Sequence, residues 1–184
     1  MPNLESDFGF VILSPDHNFG LIRSTIGGLK NHYADKSITV AVSDTATKAD
    51  IDEIKTICPN VHKGKKTVTS LINVGVKKGF KGWNMLLMEG SLIRKDIHRR
   101  IMYFMQGEKD ILFPIVTDYD YQGKPIRIHG DIVDSTLNGF TIHQKTFKEV
   151  GDFSDNPMEI SRLFWALAAV DKGCKFKGIL GAKI

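Results

Sequence analysis

The stretch FGFVILSPDHNFGLIRSTIGGL, residues 8–29, sets the architecture. Its first seven residues are a nearly continuous apolar run, which suits a strand covered on both faces. Pro15, Asp16, His17 and Asn18 break that run. Leu21, Ile22, Thr25, Ile26 and Leu29 then recur at helical spacing, which predicts a helix closing near Asn31.

The alternation continues outward. Residues 37–42 (SITVAV) form a second β-branched strand, ended by Ser43, Asp44 and Thr45. Residues 49–57 read as a helix with Ile51, Ile54 and Ile57 on one face and Pro59 beyond its end. Asn60, Val61 and His62 make a third short strand, followed by a loop at residues 63–66. A helix over about 68–79 leads to a fourth strand in GWNMLLM, residues 82–88. Strands alternating with helices imply a parallel sheet with right-handed crossovers. Ligands of such sheets bind beyond the carboxyl ends of the strands. That rule selects the loops at 15–18, 43–45, 63–66 and 89–91. Neither a G-x-G-x-x-G after the first strand nor a P-loop Gly-Lys-Ser/Thr is present, which excludes an ordinary dinucleotide or ATP-hydrolysing domain.

Composition narrows the field further. With 184 residues, 42% apolar and 25% charged, the chain has room for one domain and is not disordered. No apolar run approaches the roughly 20 residues that cross a bilayer. The start MPNLESDFGF lacks the basic and apolar stretches of a secretion signal, so the expected setting is cytoplasmic. Cys58 and Cys174 cannot build a disulfide framework and read as buried free thiols. The net charge of +4 permits a polyanionic partner. The lysines are spread along the chain without a zinc-finger spacing or RNP-like strand, so nucleic acid is not the expected ligand.

The second half changes character. Residues 95–105 look helical and basic, and DILFPIV at 110–116 is a strand. Ile126, Arg127 and Ile128 pair with residues 118–121 across Gln122, Gly123 and Lys124. Residues 137–142 are a short strand, 145–150 a helical turn and 175–180 a terminal strand. A long helix is expected over 157–172, since Ile160, Leu163, Phe164 and Leu167 fall at i, i+3, i+4 and i+7.

Four segments in order, FVILSPDHNFGLIRSTIGGL, VAVSDTATKADIDEI, SLINVGVKKGFKGWNMLLMEGS and LNGFTIHQKTFKEVGDFSDNPMEISRLFWALAAVDKGCKF, resemble the GT-A family of nucleotide-sugar glycosyltransferases, of the inverting, family-2-like kind. The most specific piece is Asn138-Gly139, then Phe147-x-x-Val150-Gly151-x-Phe153, an acidic residue and an amphipathic helix. The resemblance implies an α/β, GT-A-like fold with a mixed, mostly parallel sheet flanked by helices. It implies a single domain over 1–184, with a nucleotide-binding half at 1–92 and an acceptor half at 93–184. The implied activity moves a sugar from a UDP- or GDP-type donor to an acceptor hydroxyl. A diphosphate leaving group needs its developing charge neutralised, by Mn²⁺ or Mg²⁺ on hard oxygen ligands or by cationic side chains. An inverting enzyme also needs a carboxylate to take the acceptor proton.

The implied site residues follow position by position. The family's Asp-x-Asp metal motif falls on Glu89 and Ser91; Glu89 can ligate, whereas Ser91 is a poor replacement for a carboxylate. The catalytic-base position falls on Glu159, with Asp155 a second candidate. Read from the residues alone, Asn156, Pro157 and Glu159 make a helix-capping arrangement that needs no catalysis. Asp44 falls where an acid meets the base or ribose, and Ser14 and Asp16 line the same crevice. Lys65 and Lys66 face the diphosphate in this reading and are solvated surface in the plain one. Asn73 and Gly75 lie on the helix segment near the nucleotide, where a glycine inside a helix calls for a packing or ligand reason. Gly139 falls beside the sugar, with His143 following and reading as structural. Trp83 is core or cleft wall, and Trp165, off its helix's apolar stripe, is core or a sugar-stacking ring. Acceptor recognition would come from residues 118–134, from a partner subunit, or not at all. The loss of one metal acid and of the aspartate beside Glu159 supports an alternative, a binding or assembly protein that keeps the fold without its chemistry.

Overall fold

Strand β1 (Phe8–Ser14) is buried along its whole length, as its unbroken apolar run requires. The computed structural model describes residues 8–91, 101, 103–114, 116–119, 125–129 and 139–179. After β1 come α1 (Phe19–His32), β2 (Ser37–Ser43), α2 (Lys48–Lys55), β3 (Val61–Gly64), α3 (Val68–Lys78) and β4 (Trp83–Met88). The second half adds β5 (Asp110–Pro114), β6 (Val116–Tyr119), β7 (Pro125–His129), β8 (Thr141–His143), α4 (Gln144–Val150), α5 (Met158–Asp171) and β9 (Lys175–Ile179).

Seven strands form one sheet in the order β3-β2-β1-β4-β8-β5-β9. β1 runs parallel to β2 and β4, β2 to β3, and β5 to β9. β8 is antiparallel to both of its neighbours, so the sheet is mixed and mostly parallel. β6 and β7 form a separate antiparallel ribbon, with Thr117 opposite Ile128 and Asp118 opposite Arg127; it pairs 116–119 rather than the expected 118–121 with the second strand, and Val116 belongs to it instead of to the strand that begins at Asp110.

The period of two along β1 divides the core. Phe10 and Ile12 pack with Ile22, Ile26 and Leu29 of α1 and with Ile54 of α2. Val11 and Leu13 face the other way, onto Leu71, Ile72 and Val76 of α3 and on to Phe147 and Trp165. Gly75 answers the question its sequence posed: a Cβ there would collide with the Val11 side chain, so the glycine serves packing of α3 on β1.

Helix starts are locally encoded. Asn18 caps α1, Thr67 caps α3, and Thr47 and Asp50 form a reciprocal capping box on α2. α5 departs from its expectation. Pro157 occupies the N-cap position with no side-chain cap, while the Asn156 amide donates to Ser154 Oγ instead.

The buried face of α5 is not the apolar stripe whose spacing predicts the helix. Ile160, Leu163, Phe164 and Leu167 are exposed, and Ser161, Trp165 and Ala169 are buried instead. The reason is the indole. Trp165 stacks on Phe153 with centroids 4.8 Å apart and planes 9° apart, and its Nε1 donates to Gly151 O at 2.8 Å. Small Ser161 and Ala169, one turn to either side, let the helix approach closely enough for that insertion. This also places Trp165 in the core rather than on a ligand.

β3 extends over Lys63 and Gly64, which the sequence places in a loop. The expected segments at 95–100, 121–124 and 137–138 lie outside the described residues.

Candidate functional site

The carboxyl ends of β1, β2, β3 and β4 meet along one rim, and Glu89 organises half of it. Glu89 Oε2 accepts from Ser14 Oγ at 2.7 Å and from Asn18 N at 3.0 Å, while Oε1 accepts from Asp16 N at 3.3 Å. Its own backbone N–H donates to Leu13 O. The half-buried carboxylate therefore holds the turn between β1 and α1. Beside it, Gly90 takes a positive φ of 86° and donates to Thr25 Oγ1. Ser91 folds back, its hydroxyl donating to Met88 O at 2.6 Å.

The other half of the rim is charged and open. Asp44 is exposed at the end of β2, and its backbone N–H donates to Gly64 O at 2.6 Å, registering the two loops. Lys66 Nζ lies 4.0 Å from Asp16, linking the β3–α3 loop to the β1–α1 loop. Lys65 Nζ lies 2.6 Å from Asp155 Oδ2, with both side chains about two-thirds exposed. Its hydrogen bond and charge attraction to Asp155, with Asp44 adding to the field, hold the Lys65 ammonium above the ordinary lysine range. The sequence placed Lys65 and Asp155 in different halves; the fold joins them.

Other expected site residues have different surroundings. Both ends of the Asn73 amide are engaged by one backbone unit: Nδ2 donates to Phe153 O and Oδ1 accepts from Phe153 N, each at 2.8 Å. Gly139 is buried with φ of 85° and donates from its N–H to Leu86 O in the middle of β4. Glu159 sits exposed in the first turn of α5. His143 caps α4 through Nδ1 and stands edge-on to Trp83, 5.4 Å between centroids, in keeping with its structural reading.

His17 reads in the sequence only as part of the break after the first strand. It is the non-glycine residue with positive φ among those described, at 44°, and it sits in the Glu89-bound turn. Its Nε2 lies 3.9 Å from Asp50, and its Nδ1 is buried with no hydrogen-bond partner. No residue-type pattern encodes such a dihedral, so nothing in the sequence flagged it.

A hard divalent cation needs several oxygen ligands together. The described residues fit it poorly: Glu89 is already accepting three hydrogen bonds, Ser91 points its hydroxyl at Met88, and no group of three or more His, Cys, Asp or Glu gathers among them.

A parallel sheet carrying one reversed internal strand, with a loop-lined rim at the carboxyl ends of its first strands, defines the GT-A-like fold of nucleotide-diphospho-sugar transferases. Three solved structures share it. Bifunctional IspDF from Campylobacter jejuni superposes with a TM-score of 0.63 at 12% identity, over 95% of this chain and 50% of that one. S. aureus TarS 1–349 bound to UDP gives 0.64 at 12% identity, over 96% and 58%. The CMP:2-keto-3-deoxy-manno-octonic acid synthetase complexed with CTP gives 0.60 at 6% identity, over 97% and 90%. At these identities the likeness is one of fold, and the chain spans half the length of IspDF. No family model and no curated protein sequence matches the chain. Among the described residues no helix is long and apolar enough to cross a membrane.

Proposed function

We propose that this chain is a glycosyltransferase that binds the diphosphate of a UDP- or GDP-type sugar donor at the rim of β1–β4 and passes the sugar to an acceptor hydroxyl. The Lys65–Asp155 ion pair carries the reading, because it brings a phosphate-seeking cation and a candidate base to one point from positions 90 residues apart. An arriving diphosphate competes with Asp155 for Lys65, and the released carboxylate takes the acceptor proton. The acceptor oxygen attacks the anomeric carbon as the bond to the diphosphate breaks. The nucleoside diphosphate departs with the electron pair, its charge met by Lys65 and Lys66. Asp44, Asp16 and Ser14 lie on the nucleoside side, Gly139 on the sugar side, and Glu159 is the second candidate base. With the described donor set fitting Mn²⁺ or Mg²⁺ poorly, no step is routed through a cation.

Calorimetric titration with UDP, GDP and their sugar conjugates, with and without Mn²⁺, tests the binding. Lys65→Ala should weaken it, and Asp155→Asn, which removes the competitor for Lys65, should stop donor turnover while strengthening binding. Absence of binding by every nucleotide defeats the proposal.

One observation favours a second reading, a binding or assembly module on the same fold: Glu89 and Ser91, the expected metal positions, are engaged in shaping the backbone. That reading predicts nucleotide binding without turnover, and no functional effect of Asp155→Asn or Glu159→Gln.

A further inference from the structure

Helix α5 carries two apolar stripes and the domain uses one. Ser161, Trp165 and Ala169 face the domain, with Trp165 packed on Phe140, Phe147 and Phe153. Ile160, Leu163, Phe164, Leu167 and Val170, on the far side, are 46, 48, 60, 54 and 56% exposed. These fractions leave about 450–500 Å² of apolar side chain in water, in the range of the largest patch on an ordinary monomer and commonly a functional one. Ile160, Leu163, Leu167 and Val170 also repeat at the 3-4-3 spacing of a two-helix seam.

We infer that α5 is the interface through which a second copy of this chain docks, helix against helix, antiparallel about a two-fold axis. Area is the first argument. Two such patches hold about 900–1,000 Å² of exposed apolar surface, which together with a rim reaches the lower end of a specific interface. The isologous arrangement lets one patch serve both copies. Direction is the second argument. The exposed acids Glu159 and Asp171 stand at the two ends of α5 and meet an acid in either direction, so the helix dipoles decide: antiparallel pairing opposes them and parallel pairing aligns them. In the antiparallel register Ile160 meets Val170, Leu163 meets Leu167, and Phe164 lies beside its own counterpart near the axis.

Sedimentation equilibrium of the full chain tests this. The expected result is a dimer dissociating in the micromolar range. Leu163→Glu combined with Leu167→Glu should weaken association by roughly a hundredfold or more. Those side chains are already solvent-facing, so far-UV circular dichroism should not change. Phe164→Cys, with both native thiols buried, should form a disulfide-linked dimer under mild oxidation. A monomer at every concentration up to hundreds of micromolar overturns the inference. So does a dimer that survives the double substitution, or one in which Phe164→Cys fails to cross-link.

Discussion

Ser14 Oγ donates to Glu89 Oε2 at 2.7 Å, tying the last residue of β1 to the first residue beyond β4. Two backbone N–H groups of the following turn converge on the same carboxylate. One acidic side chain thereby shapes the loop nearest the proposed donor site.

Removing Glu89 should therefore cost stability. Glu89→Ala strands a buried hydroxyl and two amides, and should lower the unfolding free energy by about 1–3 kcal/mol in urea titration. Glu89→Gln keeps an acceptor oxygen and should lose less than half of that. An acid whose sole role was to hold a cation would leave the metal-free protein's stability unchanged.

Asn73 should behave as a structural clamp. Asn73→Ala breaks the paired bonds to Phe153 and should cost about 1–3 kcal/mol. Asn73→Asp, which removes the donor and adds a charge, should be no better. Preserved nucleotide affinity at a temperature where the variant stays folded separates this role from ligand contact.

Trp165 and Leu163 share a helix and should differ sharply. Trp165→Ala empties a stacked, hydrogen-bonded site and should destabilise by about 3–5 kcal/mol. Leu163→Ala, on the exposed face, should stay within about 0.5 kcal/mol at concentrations where the chain is monomeric.

Both thiols should resist alkylation in the folded state. Burial is the leading cause that raises the Cys58 and Cys174 pKa values, so the reactive thiolate is scarce at neutral pH and hard to reach. Iodoacetamide labelling should proceed only in denaturant, and rapid native labelling of Cys58 would contradict the packing described.

Acid should weaken the fold in part through two groups. Thr47 hydrogen bonds hold the Asp50 carboxyl below its ordinary pKa, and burial holds the His62 imidazole below its own. In each case the unfolded chain binds the proton more readily. Their stabilisation is present above the unfolded pKa and is lost as pH falls through it towards the folded one. His62→Gln should therefore flatten the loss of stability that begins below about pH 6.5, set by the unfolded imidazole, while Asp50→Asn should flatten the loss at lower pH.

Much of the architecture was legible because it is local. The double-sided run at residues 8–14 and the alternation of strand and helix patterns depend on neighbours within a few residues. Backbone sterics and side-chain spacing suffice to declare them. The crevice followed from the parallel strand order alone. The site was less legible. Glu89 was correctly placed at the rim, but its three donors lie 71–75 residues upstream, and no spacing rule reports them. His17 escaped notice because its backbone conformation is imposed by the loop around it.

The sequence by itself determined the strand–helix order, the strand faces and the rim at which polar loops gather, since each follows from periodicity and chain stiffness over short distances. Which acids were already engaged, which lysine met which carboxylate across 90 residues, and which face of α5 turned inward were decided only in three dimensions. Those outcomes depend on competition between partners that the chain brings together only after it has folded: an indole that must bury its ring and satisfy its N–H outweighs four aliphatic and aromatic side chains that can wait for another surface.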